Sequence, residues 1–71
     1  MIELHAEAPK IIVPLFARTL PELAAQAAAA QSAVAADLVE LRLDPLPWQD
    51  WPAALAQVRA AVSKPLIVTI R

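Results

Sequence analysis

Cysteine and glycine are both absent from the chain. Without cysteine there is no disulfide staple and no thiolate metal site, the two common supports of a small fold, and a reducing compartment fits. Without glycine neither the dinucleotide-binding fingerprint nor the P-loop can be built, because both need residues lacking a Cβ where backbone amides approach phosphate. Runs of one charge sign are missing as well. The six basic and seven acidic residues are scattered singly, for a net charge of −1 and an isoelectric point near 5.6. With no cationic stripe to neutralise phosphates, a nucleic-acid partner is not expected. The longest apolar run, Ile11 to Ala17, falls far short of the roughly 20 residues that span a bilayer, and the start lacks a basic n-region. No membrane partner is expected, and the chain is read as cytoplasmic.

What remains is a sequence that wants to bury surface: 71 residues, 59% hydrophobic and only 18% charged, which argues against disorder. One small domain is the ceiling, and a domain of this size hides only about 60% of its unfolded surface, so its stability margin is thin.

Residues 2 to 7 alternate, Ile2, Leu4 and Ala6 on one side and Glu3, His5 and Glu7 on the other, as in a half-exposed strand ended by Pro9. Lys10-Ile-Ile-Val-Pro-Leu-Phe16 is apolar on both faces and rich in β-branched residues, the composition of a strand covered on two sides. Thr19-Leu-Pro-Glu22 reads as a capping box, with Pro21 tolerated in the first turn. The helix it opens carries a narrow apolar stripe, Leu20, Leu23, Ala27, Ala30 and Val34, and its alanines favour close packing. Asp37-Leu-Val-Glu-Leu-Arg-Leu-Asp44 alternates again and is stopped by Pro45 and Pro47. Asp50 is placed to cap a second helix with Pro52 in its first turn and Trp51, Leu55, Val58 and Val62 along its buried face. Leu66 to Ile70, after Lys64-Pro65, is a further strand of the two-side-covered type.

Strands alternating with helices of about a dozen residues imply parallel pairing, so Ile11–Phe16, Leu38–Leu43 and Leu66–Ile70 should lie side by side in an α/β sheet. In such sheets ligands bind at the carboxyl ends of the strands, where Glu40, Arg42, Asp44 and Arg71 fall. Glu40, Arg42 and Asp44 share one parity; Val39, Leu41 and Leu43 share the other. Two readings of the charged face are open. It is a solvated outer surface whose ion pairs contribute under about 1 kcal/mol, or it lies inside a closed barrel, where charges are costly unless paired and are kept to bind a polar ligand. Crossover helices need the Val39-Leu41-Leu43 side, which favours the second.

Three blocks, Pro9-Lys-Ile-Ile-Val-Pro-Leu15, Asp37-Leu-Val-Glu-Leu-Arg-Leu-Asp44 and Lys64-Pro-Leu-Ile-Val-Thr-Ile-Arg71, resemble the opening of type I 3-dehydroquinate dehydratase, in the family's order and near its spacing. The resemblance covers nearly the whole chain and about a third of the family's length. It implies that residues 1 to 71 are the amino-terminal segment of a single (β/α)8 TIM barrel, a β-α-β-α-β unit with an N-terminal hairpin strand. It also implies a cofactor-free hydro-lyase of the shikimate pathway that forms a lysine imine with 3-dehydroquinate, a histidine oriented by a carboxylate moving the proton. Glu40 and Arg42 then match the pair that contacts substrate hydroxyls, Arg71 matches the third-strand arginine lining the pocket, and Asp44 holds an arginine in place. The family's aromatic residue between glutamate and arginine is Leu41 here, and Phe16-Ala17-Arg18 also departs; both are expected at outward or loop positions. The catalytic lysine and histidine fall beyond Arg71, so the chain alone is expected to be inactive. The partner implied is a small-molecule substrate, and a homo-oligomer is expected.

Other candidate groups have plainer explanations. Lys10 opens a strand and Lys64 precedes a proline, ordinary places for a solvated ammonium, whereas an imine-forming lysine should be desolvated. His5 between Glu3 and Glu7 would place three ligands at about 6 to 7 Å spacing on one strand, which rarely converge on one ion, so no metal site is assigned. Trp51 is expected to pack on the helix face and Trp48 to cover a loop; Arg18 and Arg59 read as solvated surface. A second class of function is a non-catalytic α/β interaction module that self-associates through its sheet edge. Because a three-stranded slice of a barrel has two open edges, the isolated chain is predicted to be weakly ordered or self-associating. Near-ultraviolet circular dichroism and sizing test this, and a compact monomer with a sharp cooperative melt would contradict it.

Overall fold

A computed structural model describes residues 10–71. The alternating segment at residues 2 to 7, with its His5, Glu3 and Glu7, lies outside the described residues. Strand β1 (Ile12–Leu15) leads to helix α1 (Leu20–Ser32), strand β2 (Leu38–Arg42), a short 3-10 turn at Trp48–Asp50, helix α2 (Trp51–Ala61) and strand β3 (Leu66–Thr69). The three strands form one parallel sheet in the order β1-β2-β3, with Leu15 opposite Leu41 and Arg42 opposite Thr69. The expected α/β alternation and parallel pairing are both present.

Helix α1 begins where the sequence predicts. Thr19 is extended, and its Oγ1 accepts from the Glu22 N–H at 3.2 Å. The Glu22 carboxylate reaches one residue further back than a capping box requires, accepting from the Arg18 N–H at 3.0 Å. Leu23, Ala27 and Ala30 are buried, but Val34, expected to continue their stripe, is fully exposed. The helix stops at Ser32, and Ala33 turns to an extended conformation, which removes Val34 from the helical period.

Helix α2 departs more. Asp50 does not cap it with its side chain: the preceding 3-10 turn already holds Asp50 in a right-handed helical conformation, its N–H donating to the Pro47 carbonyl at 2.9 Å. A side-chain N-cap needs extended backbone there. The buried face runs through Ala54, Val58 and Val62, so Leu55 lies one position off it and is exposed. Trp51 packs on the core and its Nε1–H donates to the Leu46 carbonyl at 3.1 Å. Trp48, expected as loop cover, is 75% exposed.

The core is one apolar layer between the helices and one face of the sheet, with Leu15, Leu23, Val39, Leu41, Val58 and Val62 fully buried. Small side chains, Ala27, Ala30 and Ala54, let the backbones approach, and Gln57 Nε2 crosses from α2 to the Leu20 carbonyl at 2.9 Å. The expectation that β1 and β3 are covered on both sides is not met among the described residues. Ile12 is 48% and Ile67 42% exposed, because both helices lie on the face that buries Val39 and Leu41.

With no glycine to supply a left-handed cap, no described residue has positive φ, and helix ends are closed by long cations instead. Lys64 Nζ donates to the carbonyls of Ala30 (2.8 Å) and Ala33 (2.6 Å) at the end of α1. Beside it Gln31 and Ser63 bond reciprocally, at 2.9 and 3.0 Å. Arg59 closes α2 on the carbonyls of Val62 (2.7 Å) and Lys64 (3.1 Å). Lys64 is half-buried rather than solvated, and Arg59, although exposed as expected, is also held: each donates to backbone carbonyls at or just past a helix end. Lys64→Met keeps the stem and removes the donors, and should lower stability by about 1–2 kcal/mol in urea unfolding. Lys10→Met, at the exposed start of β1, should change it little; equal losses would contradict the capping role.

Candidate functional site

Strand β2 sorts its side chains by parity. Val39 and Leu41 are buried under the helices, while Leu38, Glu40 and Arg42 are half-buried on the opposite face; Leu43 and Asp44 continue the alternation past the strand's end. Glu40, Arg42 and Asp44 therefore lie on the helix-free face, toward the carboxyl end of the sheet. Leu41, at the expected outward position, is one of the most completely buried side chains.

Two ion pairs organise this face. Glu40 Oε2 accepts from Arg71 Nη2 and from Thr69 Oγ1, both at 2.9 Å, tying the centre of the sheet to β3. Arg42 grips Asp44 with two bonds, Nε to Oδ1 at 3.3 Å and Nη2 to Oδ2 at 2.8 Å. Its guanidinium carbon sits 4.6 Å from the centre of the Phe16 ring. The Glu40 side chain is 16% exposed and that of Arg71 59%. Pairs with this much water contact contribute about 0–1 kcal/mol each, so stability alone is a poor reason for the cluster.

Partial burial by itself would raise the Asp44 carboxyl. The Arg42 hydrogen bond, the backbone N–H groups of Asp44 and Arg71 and the Arg42 charge outweigh it and hold the carboxyl below its ordinary value.

Glu40, Arg42 and Arg71 are thus gathered on one face, with Asp44 on Arg42 as expected. Two residues were missed. Thr69 shares the parity of Arg71, a signal present in the sequence. Phe16 stands at a loop position just past β1, as expected, but on the charged face: extending the β1–β2 register by two from Pro14 opposite Glu40 sets it against Arg42. Neither lysine joins the cluster, Lys10 preceding β1 and Lys64 capping α1. Among the described residues no three His, Asp or Glu side chains are grouped to hold a metal, and no helix is long and apolar enough to cross a membrane.

The bonding leaves a definite chemistry. Among the described residues, Glu40 Oε1 and Arg42 Nη1 have no side-chain partner. They offer an acceptor and a donor from strand positions about 6 to 7 Å apart. A molecule bearing several hydroxyls could answer both, donating to the carboxylate and accepting from the guanidinium.

A parallel β/α unit with paired charges at the carboxyl ends of its strands has the layout of β/α enzymes that bind small molecules there. The particular family follows from comparison: the family model for type I 3-dehydroquinase matches residues 11–71, and the chain belongs to that family. No curated protein and no solved structure matches it.

Because the Asp44 carboxyl is held below its ordinary value of 3.8, it stabilises the fold above that pH, and the contribution is lost as the pH falls through its lowered value. Asp44→Asn should be less stable at neutral pH and show a shallower loss of stability on acidification below pH 3.8. Identical acid-unfolding slopes for the two proteins would remove the Arg42–Asp44 contact from the account.

Proposed function

We propose that the chain is the amino-terminal, substrate-contacting segment of a 3-dehydroquinate dehydratase whose strands close into a (β/α)8 barrel. The reaction is the conversion of 3-dehydroquinate to 3-dehydroshikimate in the shikimate pathway. A lysine from outside these 71 residues forms an imine with the substrate ketone, releasing water; the imine becomes the sink for the electrons left when a histidine takes the α-proton, the histidine gives that proton to the β-hydroxyl as it departs as water, and hydrolysis of the imine frees product and lysine. Residues of this chain do the holding. Glu40 and Arg42 contact substrate hydroxyls, Arg71 lines the same pocket and fixes Glu40, and Asp44 fixes Arg42. Holding the substrate against a fixed lysine is worth several orders of magnitude in rate, so these residues matter without reacting. The site is read as needing no cofactor, and the enzyme as a cytoplasmic homo-oligomer acting on a small molecule, with no nucleic-acid or membrane partner.

The observation that carries this reading is the Glu40–Thr69–Arg71 cluster across β2 and β3, on the helix-free face of a chain that belongs to the type I 3-dehydroquinase family. A solvated outer surface gives no reason for a threonine of β3 and the arginine just past it to converge on a single carboxylate oxygen.

A second reading, a non-catalytic module that self-associates through its sheet edge, is favoured by a different observation. Strands β1 and β3 are both sheet edges among the described residues, and Val68 and Ile70 beside one of them are exposed.

Borohydride reduction in the presence of 3-dehydroquinate separates the two. A longer protein containing residues 11–71 should gain a substrate-derived mass on one lysine, and the 71-residue chain alone should gain none and show no turnover. In the longer protein Glu40→Gln should lower kcat/KM about 10- to 100-fold, the loss of a hydrogen bond to a charged group. Absence of the lysine adduct in the longer protein overturns the enzyme reading; an adduct on Lys10 or Lys64 overturns the assignment of the lysine to another segment.

A further inference from the structure

We propose that Phe16 is a positioning residue for Arg42: its ring sets the plane and the reach of the guanidinium that meets a ligand. The side chain is not core. Leu15 and Ala17 on either side are buried under the helices, whereas Phe16 is exposed on the opposite face with the charges. A half-solvated phenylalanine gains little by burial, but a guanidinium 4.6 Å from its ring centre lies within the range of a cation–π contact.

A second observation, independent of the ring, points the same way. Phe16 lies just past the last residue of β1, where the strand ladder no longer holds the backbone. Gln26 of α1 takes over: its Oε1 accepts from the Phe16 N–H at 2.8 Å, and its Nε2–H donates to the Phe16 carbonyl at 3.0 Å. Both backbone polar groups of one residue are clamped by one amide. Phe16 therefore has a fixed base although it stands outside the sheet. With Asp44 holding Nε and Nη2 and the Phe16 ring against the guanidinium carbon, Arg42 has, among the described residues, Nη1 and the second Nη2 N–H left to offer. An arginine on a flexible stem would lose rotamer freedom on meeting a ligand; one already held loses less.

The consequence for catalysis rests on the proposed role of Arg42 at the substrate, while the positioning itself does not, and the test keeps them apart. In an isotope-labelled longer protein containing residues 11–71, ring current from Phe16 should move the Arg42 Nε–H and Cδ–H proton signals upfield of free-arginine positions. Phe16→Leu should return them toward those positions with little change in urea midpoint, Phe16→Tyr should preserve the shift, and Gln26→Leu should diminish it. Arg42 signals at free-arginine positions in the unaltered chain, or unchanged in Phe16→Leu, overturn the proposal. So does a Phe16→Leu chain that loses stability while its Arg42 signals stay in place. In a longer, active protein Phe16→Leu should raise KM for 3-dehydroquinate about two- to fivefold, with Tyr restoring it. If the spectral shift behaves as expected and KM does not move, Phe16 positions Arg42 and the substrate role of Arg42 is what falls.

Discussion

The two-residue period of strand β2 is the constraint on which the rest of this structure depends. Val39 and Leu41 are completely buried against the helices, and β2 is paired on both sides, with β1 through Leu38–Leu41 and with β3 through Val39–Arg42. A slip of one residue would carry Glu40 and Arg42 into that apolar layer and push both aliphatic side chains into water. An unpaired carboxylate or guanidinium in such a layer would cost several kcal/mol, so the register is held by the penalty on its alternative as much as by its own contacts. The charged face is the necessary reverse of the apolar one.

Geometry on that face is shaped by pairing. Each half-buried charge of β2 has a dedicated opposite charge: Arg71 for Glu40, Asp44 for Arg42. Pairing of this kind adds little to stability, but it removes orientations, and it leaves one oxygen of Glu40 and one nitrogen of Arg42 for other work. Thr69 and Phe16 extend the same logic, the first by loading the oxygen of Glu40 already used by Arg71, the second by flanking Arg42. The arrangement lies on the helix-free face of a chain that belongs to the type I 3-dehydroquinase family.

The absence of glycine is answered at the other end of the sheet. Helix α1 has no basic residue in its last turn and no left-handed cap, so Lys64, about thirty residues further on, reaches back to its final carbonyls. Arg59 performs the like service for α2. The lysine that sequence reasoning treats as a solvated charge before a proline is one of the ties between the two β-α units.

The sequence alone was enough to place the three described strands, the start of α1 and the parity of β2, because these depend on short-range rules: alternation along a pleated strand, a threonine oxygen meeting first-turn amides, prolines that stop a ladder. It was enough also for the resemblance to the family. The ends and faces of helices were less legible. Val34 falls off its stripe because α1 stops early, Leu55 is displaced from the core by the smaller Ala54, and Asp50 loses its capping role to a 3-10 turn whose geometry no periodicity announces. Which side chains meet was decided only by the tertiary structure. Glu40 and Arg71 are 31 residues apart, Phe16 just past β1 meets Arg42 of β2, and Lys64 finds α1 across an intervening strand and helix. Parity assigns a residue to a face, but the lateral register between strands chooses its neighbour, and that register is the pairing that keeps Val39 and Leu41 buried under the helices.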